Sequence, residues 1–260
     1  SGAFGRRQRG YLGYVTQVVL IAKTIPGTPV KLLWSREEDM TRGHYHPVTK
    51  AKLEGGLDAD GNVTGLAIRL AGPSILAAVE PKALENGKDF TNFLGLRPAK
   101  SAHSLEYTVE NLAIDHAMRP THVRPATWRA VSGNQNAIFL ECFIDELAHA
   151  AGQDALEFRR RLMKDRPKSL AVLEAVASKG GWGEKAPPGR HRGLASFRTY
   201  GSSAAALAKI SVDDTNGIKV HRVVVGLDCG YAVNPAQIER QIAGSVVWGL
   251  SALFLQECTV

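Results

Sequence analysis

With 260 residues, 44% of them hydrophobic and 22% charged, the chain has the composition of a soluble globular protein with core enough for one large domain or two. Its net charge of +7 favours anionic ligands. The basic residues are scattered, however, and the densest groups (Arg6/Arg7/Arg9, Arg159/Arg160/Arg161 and Arg190/His191/Arg192) lack the interleaved aromatic residues of a surface for single-stranded nucleic acid.

The chain opens on Ser1-Gly2-Ala3-Phe4-Gly5-Arg6-Arg7, and residues 11–25 have the length and apolar spacing of a helix. Small residues before a helix let backbone N–H groups approach an anion, and arginines add charge-assisted hydrogen bonds. A tight turn with two solvated arginines fits the same pattern. Residues 30–34 read as a short strand followed by a polar stretch. Residues 49–57 and 63–70 form a hairpin around Asp58-Ala59-Asp60-Gly61-Asn62, since Asp-Gly is a strong turn signal. Residues 72–103, rich in Gly, Pro and Lys, predict an irregular excursion, and residues 107–117 a strand.

Two helices follow. Residues 136–151 place Phe139, Cys142, Phe143 and Leu147 along one side and Glu141, Asp145 and Glu146 largely opposite, so that Cys142 reads as a small buried hydrophobe. Gly152 stops that helix and Asp154 caps the next, over 155–163. Residues 164–170, with Pro167, read as a joint between subdomains 1–165 and 166–260. A helix over 169–178, a loop over 180–193 and a hairpin of 204–212 with 220–227 complete this part. Asn234-Pro235 is an N-cap with proline in the first turn, opening a helix to about Leu253. Gly244 and Gly249 on that helix predict close packing of backbone against a neighbour or a ligand.

The three cysteines lack C-x-x-C spacing, and His44 and His46 alternate without a third ligand candidate nearby. No metal held by protein side chains is expected, and no apolar run reaches the ~20 residues of a spanning helix. The chain starts without methionine and closes on Cys258-Thr259-Val260, which reads as the start of a strand, so it is expected to be an internal part of a longer protein.

Three loop-to-helix junctions stand out, at residues 2–9, 128–136 and 228–241. Each combines small residues with polar side chains, as do the loops that hold a large cofactor between subdomains. Three ordinary helix starts account for them equally well.

The segments themselves resemble the molybdenum-binding large subunit of the xanthine oxidase family, in the branch of the isoquinoline 1-oxidoreductase beta subunit and related aldehyde dehydrogenases. The opening loop resembles that branch's GGGFGRR. Leu33-Trp34-Ser35-Arg36-Glu37-Glu38-Asp39-Met40 resembles its W-[ST]-R-E-[ED]-D segment. Trp128-Arg129-Ala130-Val131-Ser132-Gly133-Asn134-Gln135-Asn136-Ala137 resembles WRSVG-x-x-QN-A, continuing into Phe143-Ile144-Asp145-Glu146-Leu147-Ala148. Leu156-Glu157-Phe158-Arg159-Arg160 follows at the family's spacing, and Asp228-Cys229-Gly230, Asn234-Pro235 and Gln241 resemble DCG-x-x-VNP and its downstream glutamine.

The resemblance implies an α+β fold of two molybdenum-cofactor-binding subdomains built from mixed sheet and helices. It implies a molybdopterin dinucleotide, expected in its cytosine form, in which a dithiolene rather than protein side chains holds the metal. The backbone of Gly2, Ala3, Phe4, Gly5 and Arg6 would bind the pterin, with Phe4 near the metal's ligands; Arg129 and Gln241 would contact the cofactor. The implied reaction is hydroxylation of an aldehyde or aromatic N-heterocycle with oxygen from water, the electrons leaving through 2Fe-2S clusters of a partner subunit. The family's base is a glutamate in a G-x-G-E loop near the large subunit's C-terminus. No glutamate here is given that role: Glu257 resembles a structural one, and the base is expected beyond Val260.

Two positions depart from the purine-oxidising branch. Gln8 stands where that branch has a carboxylate and Val131 where it has a stacking phenylalanine, which disfavours purines and leaves both on the substrate side. The competing reading is a non-catalytic anion- or nucleic-acid-binding domain. Compartment stays open between bacterial-type periplasm and cytoplasm.

Overall fold

The computed structural model describes residues 4–5, 13–97, 101, 103–213, 215 and 217–257. The chain forms two compact units. One comprises Ser1–Gly56, Gly65–Leu96 and Asn111–Phe139, and the other Leu57–Thr64, Arg97–Glu110 and Leu140–Val260.

In the first unit, α1 spans Gly13–Thr24 and buries none of its residues. Residues 30–34 do not form the expected strand. β-propensity produces a strand only where a ladder partner exists, and this segment is instead held by Trp34, whose Nε1 donates to Gln17 Oε1 at 2.9 Å while its ring meets Tyr14 edge-on. The polar stretch after it is a helix, α2 (Arg36–Thr41). Ser35 caps it by accepting from the Glu38 N–H, and Glu37, Glu38 and Asp39 sit at the positive end of its dipole.

A three-stranded sheet has the order β1-β2-β3, with β1 at Lys50–Leu57, β2 at Val63–Gly72 and β3 at Asn111–Met118. The expected hairpin joins β1 and β2: the Asp58 carboxylate accepts the backbone N–H groups of Asp60 and Asn62, and Gly61 takes φ 73°. Leu66, Ile68 and Leu70 alternate inward on β2. β3 then runs parallel to β2, from Gly65↔Asn111 to Gly72↔Met118.

A parallel neighbour requires a crossover, and the irregular excursion belongs to it. Buried Asp89 organises this link. It accepts from Ser74 Oγ, from the Leu76 N–H at the start of α3 (Ile75–Val79), and from the Thr91 N–H of a 3₁₀ turn. A charged acceptor thus satisfies helix-end donors that would otherwise lack partners.

Helix α4, Gly133–Ala150, contributes its first turns to this unit and the rest to the other. Its buried side differs from the expected one. Leu140, Ile144, Leu147 and Ala148 are inward together with Glu141, and Cys142 is exposed. The Leu140–Ile144–Leu147–Ala148 spacing is the true apolar stripe. Glu141 joins it because a buried cation lies opposite.

The second unit continues with α5 (Ala155–Leu162), capped by Asp154 Oδ1 accepting from the N–H groups of Leu156 and Glu157. Pro167 opens α6 (Pro167–Gly180) at a position where no N–H is needed. An antiparallel sheet follows, in the order β4-β5-β6: His191–Thr199, Ser202–Asp213 and Gly217–Asp228. The hairpin β5–β6 matches expectation. β4 was hidden in sequence, because Leu194 and Ser196 are its only fully buried residues and one of them is polar. α6 packs on this sheet so closely that a Cβ on Gly226 would stand 2.7 Å from Val176, and one on Gly180 2.5 Å from Leu207. Tyr107 belongs to this unit, and β3 starts only at Asn111.

Candidate functional site

The segment 128–133 combines two consecutive left-handed residues with one of the expected cofactor contacts. Ala130 and Val131 both take left-handed φ, 75° and 55°. That region is costly for any L-residue and most of all for a β-branched one. Hydrogen bonds hold the chain there: Val131 N–H to Trp128 O and Gly133 N–H to Ala130 O, both 2.8 Å. Side chains add further ties. Ser132 Oγ donates to Thr91 O, and Asn136 Nδ2 donates to Asn92 O and Leu94 O, both at 2.9 Å. Strained backbone persists only where its surroundings over-determine it, and such segments gather at functional sites. Arg129 and Val131, both half-buried, flank Ala130 in this turn.

The opening loop reaches the same place. Gly5 has φ 113°, and a Cβ on it would lie 3.0 Å from both Thr127 O and Trp128 Cα. Its carbonyl accepts from Thr127 Oγ1 at 3.4 Å. Only glycine permits this backbone-on-backbone contact. Phe4, at φ 47° and 51% exposed, projects beside it. Phe4, Gly5, Arg129 and Val131 are therefore brought into one region of the first unit, although more than a hundred residues of chain separate them. Gly2, Ala3, Arg6 and Gln8 lie outside the described residues.

A large cofactor needs backbone that it can approach, a cation and exposed apolar surface beside them. The Gly5 contact, the left-handed turn, the half-buried guanidinium of Arg129 and the exposed ring of Phe4 fit those needs.

The third junction belongs to the second unit. Gly230, at φ 77°, donates its N–H to Asp228 Oδ1 at 2.8 Å. Asn234 Oδ1 accepts from the Gln237 N–H, opening α7 (Pro235–Phe254) with proline in its first turn as expected. Gln241 is exposed on that helix, and its carbonyl accepts from Ser245 Oγ at 2.6 Å. Among the described residues nothing lies within 4 Å of a Cβ at Gly244 or Gly249.

Residues 2–163 match a molybdopterin cofactor-binding domain family, and residues 127–260 match a second family of the same description. The chain belongs to the molybdopterin cofactor-binding domain family. This is the family that the sequence motifs predict. Three curated relatives span it almost completely. A membrane-bound aldehyde dehydrogenase [pyrroloquinoline-quinone] of Gluconacetobacter polyoxogenes is 25% identical over 100% of the chain and 36% of its own length. A nicotinate dehydrogenase subunit from Pseudomonas putida is 29% identical over 99% of the chain and 23% of its own length. The beta subunit of isoquinoline 1-oxidoreductase from Brevundimonas diminuta is 26% identical over 100% and 33%. The chain thus spans between about a quarter and about a third of their lengths. Among solved structures, the aldehyde oxidoreductase of Desulfovibrio desulfuricans superposes with a TM-score of 0.54 at 15% identity, over 85% of this chain and 25% of that one. The fold is the expected α+β cofactor-binding type.

Within this family member, the charged cluster that sequence reading missed is in the second unit. Arg159, fully buried, donates from Nε and Nη2 to Glu141 Oε2 at 3.2 and 3.1 Å, and from Nη1 to Asp145 Oδ1 at 2.6 Å. Glu141 also accepts from Tyr107 Oη at 2.6 Å and from the Ser196 N–H at 2.7 Å. Ser196 Oγ donates in turn to Glu106. Burial raises the Tyr107 phenol well above its ordinary value, and the neighbouring Glu141 adds to this. Burial works against the Arg159 charge, yet Tyr107, Glu141 and Asp145 hold its proton more tightly than usual. The arginine run 159–161 hid this role. Arg159 is buried, Arg160 pairs with Glu174, and Arg161 reaches Asn62 and the Gly61 carbonyl.

A literal G-x-G-E string also occurs, at Gly181-Trp182-Gly183-Glu184. The fold uses it to end α6: Gly181 is the left-handed C-cap, Trp182 Nε1 donates to the Asp154 carboxylate at 3.0 Å, and Arg192 donates to the Trp182 and Glu184 carbonyls. This is a capping turn, and Glu184 is exposed.

Proposed function

We propose that the chain is the molybdenum-cofactor-binding part of a hydroxylase or dehydrogenase large subunit that oxidises an aldehyde or an aromatic N-heterocycle with oxygen from water. The observation that carries this reading is the meeting of the Gly5 backbone with the strained Arg129–Val131 turn, in a chain that matches the family over residues 2–163. When bound, the cofactor supplies the redox chemistry, and the chain supplies its seat. The backbone of Gly2, Ala3, Phe4, Gly5 and Arg6 approaches the pterin, Arg129 gives it a cation, and Gln241 gives it a hydrogen bond. Phe4 excludes water beside the metal's ligands. Gln8 and Val131 face the substrate, and the short aliphatic Val131 leaves room for an uncharged ring. The division at 165/166 separates two cofactor-binding subdomains. The cytosine form of the dinucleotide, a partner subunit carrying 2Fe-2S clusters and a base supplied from beyond Val260 belong to the same proposal. The names of the relatives, which cover an aldehyde, nicotinate and isoquinoline, support this substrate range.

The test is to purify the natural protein that contains this chain and measure molybdenum, released pterin, released nucleotide and pyrroloquinoline quinone. Near-stoichiometric molybdenum and pterin with cytidine monophosphate are expected, together with aldehyde or N-heterocycle oxidation through an artificial electron acceptor. A protein with quinone and no pterin overturns the reading. A cofactor-free protein with salt-sensitive DNA binding would favour the anion-binding alternative.

A further inference from the structure

His46 is not part of any expected contact, yet it touches the strained turn directly. Its Nε2 lies 2.9 Å from the Val131 carbonyl and 3.0 Å from Asn134 Oδ1. Both partners are acceptors. The Asn134 amide is oriented by the Gln135 N–H, which donates to the same Oδ1 at 3.0 Å, so that atom is the oxygen. Nε2 therefore carries the proton and donates to both. The ring is itself fixed. Tyr45, the residue before it, donates its N–H to Arg124 O at 3.0 Å and accepts from the Ala126 N–H at 2.8 Å. The Trp128 ring stacks on the imidazole at a tilt, with centroids 5.0 Å apart.

We propose that His46 is a positioning residue for the cofactor-facing turn. Its Nε2–H grips the Val131 carbonyl and Asn134, and so keeps Ala130 and Val131 in the left-handed conformation that presents Arg129. A valine at φ 55° returns to ordinary backbone space unless its carbonyl is held. Turning the 131–132 peptide would swing that carbonyl away and carry the Arg129 segment with it. The inference rests on the proposed cofactor reading and adds to it a residue that acts through the turn rather than by touching the cofactor.

The experiment compares the natural holoprotein with His46→Leu, His46→Gln and the double variant His46→Leu/Val131→Gly, reading molybdenum and pterin retained per chain after dialysis. His46→Leu is expected to hold the cofactor about 10–100-fold more weakly, the range typical of lost supporting hydrogen bonds around a metal site. Gln keeps an N–H donor and restores most of the retention. Glycine at 131 adopts positive φ unaided, so the double variant recovers retention that a general packing defect would not. These rescues decide the matter even if His46→Leu alone folds poorly. A wild-type protein loaded with cofactor alongside an equally loaded His46→Leu overturns the positioning role, as does a double variant no better than His46→Leu. A wild-type protein free of molybdenum and pterin overturns the cofactor reading, and this inference with it.

Discussion

The Trp128–Ser132 turn and the Glu141–Arg159 cluster adjoin the same helix but are built on opposite terms. Around Arg159 every donor is directed at a carboxylate or carbonyl, and both charges are buried. Around Val131 the backbone is strained, residues 128–131 are half-exposed, and bonds from distant loops add to the turn's own. A buried network in which the cation's donors are all paired specifies one packing and resists change. A strained turn spends stability to present groups to a ligand. The difference separates the residues that maintain the fold from those available for binding.

Removing the cation is the largest blow to the Arg159 cluster. Arg159→Met is expected to destabilise by about 3–5 kcal/mol, because Glu141 stays buried without its partner. Chemical denaturation measures this, and adding Glu141→Gln should recover part of the loss by removing the stranded charge. A cost below about 1 kcal/mol would mean that the pair behaves as a solvent-exposed one and does not hold this packing. Next in size is Tyr107→Phe. It deletes one donor to a buried carboxylate and should cost about 1.5–3 kcal/mol, with the Arg159 ion pair still in place. A near-neutral outcome would show that the Ser196 N–H and Arg159 satisfy Glu141 on their own.

The turn should respond in the opposite direction. Val131→Gly relieves a β-branched residue at φ 55°. Left-handed strain of about 1–2 kcal/mol set against glycine's entropic cost of about 0.5–1 kcal/mol leaves a net gain of up to about 1.5 kcal/mol. A stabilised variant whose substrate preference has shifted would place strain and function at the same residue. A destabilised one would mean that the valine side chain is a packing residue.

The two regions also differed in how legible they were. The turn's importance was visible because Trp128-Arg129 and Gly5 belong to motifs, and the structure brings them together as such residues would need to be. Its strain was not visible, since nothing in Ala130-Val131 signals positive φ; the cause is a set of long-range bonds from His46, Thr91 and Asn92. The cluster was missed for a related reason. On helical periodicity Glu141 reads as a solvent residue, and only the arrival of Arg159 and Tyr107 makes burial tolerable there. The β1–β2 hairpin with its Asp-Gly signal and the Asn234-Pro235 helix start were legible because their causes are local. Strand β4 and the failed strand over 30–34 were not, because pairing partners decide them.

The smallest effect tests whether charge pairing or burial sets the Arg159 cluster apart. Arg160 and Glu174 make a bidentate pair at 2.6 Å, as short as any contact of Arg159, but their side chains are 35% and 40% exposed. The Arg160 hydrogen bonds hold the Glu174 carboxyl below its ordinary value. A carboxylate with a depressed folded pKa contributes stability above its unfolded value, near 4.5, and loses it as the pH falls through the folded one. Solvent screening limits that contribution to about 0.5–1 kcal/mol at neutral pH. Glu174→Gln should therefore lower stability slightly at pH 7 and converge with the wild type in acid, as unfolding midpoints measured from pH 7 downward would record. If Glu174→Gln instead matched Arg159→Met, geometry alone would account for both pairs. Burial would then no longer be what distinguishes the cluster that holds this fold from the charges that decorate it.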